Sequence, residues 1–172
     1  MSVEEILHEI GKRGEWRVTI RPLKFEEQRL KFKDCKSLIE QCQVILRGWY
    51  YPHYHNPGEA YGGIGFGDDF VQCITDHRHF KEIWRMHQTG LFFHRFACFE
   101  DWWPETADRN VLEIYSTLYR VTEIFQFAST LAMKNIFDDQ LKISIELVRM
   151  KNRTLIMLNQ GNTITTIRIF GR

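Results

Sequence analysis

The sequence predicts an α+β protein: a mostly antiparallel sheet of about five to seven strands, a long amphipathic helix at about 110–135 packed on one face, and a C-terminal β-meander. Three observations carry this. Apolar and polar residues alternate at 16–21 and again at 141–147, the period of a half-buried strand. Residues 110–135 instead carry apolar side chains in 3-4 steps, the period of a helix. Polar turns at Lys151-Asn152 and Gln160-Gly161-Asn162 separate the last apolar runs, which suits consecutive antiparallel strands.

In chain order, Ser2 and Glu5 make a capping box, and Ile6, Leu7 and Ile10 follow at helical spacing, so a short helix is expected at about 2–12. Trp16, Val18 and Ile20 form the inner side of a strand that Pro22 ends. Residues 23–33 are charged and poorly patterned, a loop or an irregular strand. Asp34 is placed to cap a helix carrying Leu38, Ile39 and Cys42. Val44 to Tyr51 reads as one strand. Residues 52–67 hold two of the four prolines and five glycines and read as a long loop. A strand is expected at 69–75. A helix is expected from His79 to Gln88, because Phe80, Ile83, Trp84 and His87 are spaced by three and four. Leu91 to Phe99 reads as a strand buried on both faces. The long helix then carries Leu118, Val121, Phe125 and Ala128, with Tyr115, Tyr119, Ile124, Phe127 and Leu131 widening the stripe. Such a helix is either packed deeply on the sheet or shared with a partner. The last strand is expected at about 163–170.

The 172 residues suit a single α+β domain spanning 1–172, whole or excised from a longer chain. Hydrophobic residues at 44% and charged residues at 26% argue against disorder. A net charge of +1 lacks the basic excess of a duplex-binding domain. The four cysteines Cys35, Cys42, Cys73 and Cys98 form no C-x-x-C pair and read as buried thiols of a reducing compartment. The acidic N-terminus does not look like a signal peptide, and no apolar run is long enough to span a bilayer. A cytoplasmic location without membrane attachment is therefore expected.

Two constellations are candidates for chemistry. Six of the seven histidines lie between residues 53 and 94. His53, His55, His77 and His79, with Asp68, Asp69 and Asp76, supply the imidazole and carboxylate donors that suit a divalent metal, and H-x-H places both rings on one face of a strand. The plain reading is that these are ordinary polar residues, and no H-E-x-x-H is present. The second constellation is Arg47, Trp49, Tyr50 and Tyr51, with Trp102 and Trp103 as a second wall, suited to gripping a protein surface or stacking on bases. Basic residues Arg17, Arg21, Lys24, Arg149, Lys151 and Arg153 sit on strand-like segments and form either an anion patch or a solvated face. The glycines 62–67 match neither phosphate-binding fingerprint, and the two aspartates after them would repel phosphate.

No nucleophile motif is present. The favoured reading is a non-catalytic interaction or regulatory module, an accessory part of a larger assembly, which meets a protein partner or itself through the 110–135 helix and needs no cofactor. The alternatives are a metal-dependent hydrolase built on the His/Asp cluster, and a nucleic-acid or nucleotide binder built on the 47–51 aromatics.

Overall fold

A computed structural model describes residues 1–56, 59, 61–158 and 164–167. Its elements run α1 (Val3–Gly11), β1 (Glu15–Pro22), α2 (Phe32–Cys42), β2 (Val44–Ile45), β3 (Tyr50–Tyr51), β4 (Gly62–Phe66), β5 (Phe70–His77), β6 (Phe80–His87), β7 (Phe92–Ala97), β8 (Val111–Glu113), α3 (Ile114–Ala132), β9 (Leu141–Val148), β10 (Thr154–Leu158) and β11 (Ile164–Ile167). A 3₁₀ turn at Phe99–Asp101 precedes β8. The fold is α+β, as the sequence predicts, and the main sheet is antiparallel with strand order β4-β5-β6-β7-β1-β9.

The main core lies on one face of this sheet. Trp16, Val18 and Ile20 of β1 join Phe92 and Phe96 of β7 and Trp84 and Met86 of β6. Above them pack Leu38 and Ile39 of α2 and Ile124, Phe127 and Leu131 of α3. A smaller cluster lies on the other face, where Ile6 and Ile10 of α1 cover Ile83 and Ala97. The capping box of α1 forms as its sequence indicates: Glu5 N–H donates to Ser2 Oγ at 3.1 Å, and Ser2 N–H donates to Glu5 Oε2 at 2.6 Å.

Several local expectations are corrected. Residues 80–87 are a strand, not a helix. The misleading spacing has a physical source. Ile83 packs beneath α1 while its neighbour Trp84 enters the main core, so both faces of β6 are buried and the period of two is erased. The expected strand 44–51 is a hairpin, with β2 pairing β3 around Gly48, whose φ of +84° suits glycine. The long loop yields β4, an edge strand at 62–66. Asp34 sits in the first turn of α2, whose N-cap is Lys31. Residues 111–113 form a strand before the long helix starts.

Of the expected C-terminal meander, only β10 and β11 pair as successive antiparallel strands. β9 crosses to β1, and β10 takes β8 as its parallel neighbour. The turn at 160–162, Pro57 and Gly58, and the final strand beyond 167 lie outside the described residues.

Candidate functional site

The aromatic segment is divided by the hairpin geometry. Alternation sends Tyr51 inward, where it is fully buried against Phe96 and Phe127, and leaves Tyr50 half exposed. Arg47 turns back to α3 and forms a two-pronged bond with Glu123, at 2.9 Å and 2.7 Å. The same guanidinium lies 4.8 Å from the Trp49 ring and 5.7 Å from the Tyr119 ring. Trp102 and Trp103 sit elsewhere: Trp102 lies beneath Lys81 and Arg13, and Trp103 packs on Phe99 and His79. The six residues therefore do not form one wall. A row of rings, Trp49 on Phe80 and Phe80 on Phe99, runs between the two groups.

The histidines and aspartates also go separate ways. His55 bonds Glu59, His79 bonds the Trp102 carbonyl, and His77 packs on Tyr61. Asp69 faces His87, and Asp76 holds Lys81. Asp68 joins none of these pairs. Among the described residues, no three His, Cys, Asp or Glu side chains gather to hold a metal ion. The buried cysteines are no better placed for chemistry, since burial pushes the Cys35 thiol up to about 11 and the Cys73 thiol up to about 12.

His53 is the exception, because it enters a buried polar chain that the sequence did not reveal. Glu82 of β6 accepts from the His53 N–H at 3.1 Å, and His53 Nδ1 lies 2.9 Å from the same oxygen. Thr75 donates to it at 3.5 Å. His94 Nε2 lies 3.3 Å from the other Glu82 oxygen, but outside hydrogen-bonding alignment. His94 Nδ1 lies 3.2 Å from Tyr51 Oη. Burial pushes the Glu82 carboxyl up, yet His53 and His94 outweigh it and hold Glu82 well below the usual range. Burial pushes His94 below the usual imidazole value, against the pull of Glu82. A second buried carboxylate, Glu123, holds Arg47 and lies 3.6 Å from Arg120, which rests on the Phe96 ring. Both carboxylates, His94 and Tyr51 are closed off from solvent. The Glu82–His94–Tyr51 chain ties β3, β6 and β7 together, and Glu123 separately ties α3 to the hairpin through Arg47.

Basic residues converge only in part, and on carboxylates. Arg17, Arg95 and Arg149 all bond the buried Glu15. Burial pushes Glu15 up, but the Arg17 and Arg95 bonds hold it below the usual range. Arg153 pairs instead with Asp101, and Arg21 with the Pro22 carbonyl.

The least ordinary surface is the outside of α3. The helix holds only two charges among 19 residues, Arg120 and Glu123, and both point inward. Its outer face carries Tyr115, Leu118 (58% exposed), Tyr119 and Phe125 (52% exposed). Ile45, Leu46 and Tyr50 of the adjoining hairpin are exposed as well. A surface helix usually sends charge to water and apolar groups to the core; here the inner face holds Ile124, Phe127, Ala128 and Leu131 together with both charges, and large apolar groups also face outward. Each of these outward side chains is about half exposed and so forgoes about 1 kcal/mol, half the value of full burial. The signal in the sequence is the charge count: a helix of 19 residues whose only charges are Arg120 and Glu123 has no charged stripe to present.

Among the described residues, no helix is long and apolar enough to cross a membrane. Comparison with known protein families, curated proteins and solved structures returns no match.

Proposed function

We propose that this chain is a non-catalytic interaction module, an accessory part of a protein assembly, whose outer α3 face packs against an apolar, uncharged protein surface. The observation that carries this is the outer face of α3, which holds Tyr115, Leu118, Tyr119 and Phe125 while the helix's only two charges lie inside. A second copy of the chain satisfies the requirement most simply. A charge-free face meets its own copy without like-charge repulsion, and a two-fold interface is self-complementary.

The test is light scattering over a range of concentrations, with binding of a hydrophobic dye measured on the same samples. The expected result is a dimer, or a monomer with strong dye binding. Leu118→Glu combined with Phe125→Glu should abolish either signal while changing stability by no more than about 0.5 kcal/mol, because both side chains are solvent-facing. A monomer whose dye binding ignores the double substitution would remove the support for this reading.

A further inference from the structure

The glycine-rich segment that fits no phosphate loop has a different use. β4 is the terminal strand of the six-stranded sheet among the described residues. The ladder to β5 closes with Asp76 N–H on the Tyr61 carbonyl at one end and Gly67 N–H on the Phe70 carbonyl at the other. Antiparallel pairing alternates, so residues 61, 63, 65 and 67 bond inward. The backbone groups of Ile64 and Phe66 therefore point outward along the free edge. Edge strands are ordinarily guarded by a charged side chain, a proline or a bulge. The sequence GGIGF contains none of these.

The same alternation shapes the faces. Ile64 and Phe66 oppose Cys73 and Val71 on the core side, while Gly63 and Gly65 oppose Ile74 and Gln72 on the α1 side. Two absent side chains, beneath a helix that covers β5 and β6, leave a groove of about 820 Å³ along the edge. Its walls carry four carboxylates, of which Asp76 is paired with Lys81 and Glu9 with Lys12, so that Glu5 and Glu59, against the Met1 amine, leave the lining net negative. The other side of the edge is apolar, with Phe66 60% exposed.

We infer that this edge receives an extended peptide segment of a partner protein, added as a further strand, with Lys or Arg side chains on the α1 side and apolar ones on the Phe66 side. Main-chain bonds to Ile64 and Phe66 hold the strand, and the alternating faces select its pattern. Edge-to-edge pairing of two copies is disfavoured, because it would bring two sets of the same carboxylates together. This surface is separate from the outer face of α3.

The experiment uses a fluorescent peptide of alternating Lys and Val, about six residues long, and reads anisotropy together with amide exchange. The expected result is binding that slows exchange at Ile64 and Phe66 and weakens about tenfold on adding 0.5 M salt, about the level that screens exposed charge. Gly65→Val should weaken binding by filling the groove, since its Cβ meets only the flexible Gln72 side chain. The pair Leu118→Glu and Phe125→Glu should leave binding unchanged, which separates this edge from the α3 face. Equal binding of an alternating Glu-Val peptide, or of a Lys-Val peptide N-methylated on alternate residues, would overturn the inference. So would no binding up to about 1 mM, the weak end of specific association.

Discussion

Glu123 joins α3 to the β2–β3 hairpin. It is fully buried, forms a two-pronged bond with Arg47 and faces Arg120. Breaking a buried ion pair from one side leaves uncompensated charge, which costs about 3–5 kcal/mol. Glu123→Gln keeps the side-chain size and strands two guanidiniums, so it should destabilise the protein by about that much in chemical denaturation. Replacing Arg47, Arg120 and Glu123 together by Met, Met and Leu should recover much of the loss. A near-neutral Glu123→Gln would mean that water enters the site and shields the arginines. None of this was legible from sequence order alone. Arg47 and Glu123 are 76 positions apart, and beside Trp49 and Tyr50 Arg47 suits an outward-facing grip as well as a buried pair.

At the scale of the element, β4 and α3 show opposite relations between pattern and structure. Glycines discourage a strand by their backbone freedom, yet β4 forms because β5 supplies a full ladder of partners. Gly62 is required there. A Cβ at that position would lie 1.9 Å from the Ile74 carbonyl oxygen, and φ is +155°. Gly62→Ala should therefore loosen the edge and cost about 1–3 kcal/mol, visible as faster amide exchange across β4 and a lower midpoint. Equal exchange in the variant would show that the strand shifts to accept the methyl group. For α3, the helical spacing is legible in the sequence, and which of its two apolar stripes is buried is not. Leu118 and Phe125 seemed as suitable for the core as Ile124 and Phe127. The stripe that meets the core carries Ile124, Phe127 and Leu131, and on the same side Glu123 pairs with Arg47 of the hairpin.

At the scale of the molecule, three buried groups link stability to pH in the same direction. His94, Glu15 and Glu82 all have folded pKa values below their usual ones. Each then binds fewer protons folded than unfolded, so stability falls as pH falls. His94 begins to cost stability below its usual value of 6.5, and the two carboxylates below their usual 4.5. The melting temperature should therefore drop in two stages on acidification. His94→Gln should remove the first stage and keep the second. A melting temperature that stays flat between pH 7 and pH 5, spanning the usual histidine value, would mean that His94 is protonated in the fold or has opened to solvent.

The sequence by itself determined the α+β class, the first helix and its capping box, the strands β1, β5, β7 and β9, and the existence of the long helix. These share one property: their signal is local, a period of two or of three to four, or a cap within one turn. Only the tertiary structure decided that 80–87 is a strand, that the glycines form an edge, that β9 leaves its neighbours for β1, and which stripe of α3 meets water. Each of those depends on what covers the second face of an element or pairs with its free edge, and that is a relation between distant segments that no local pattern records.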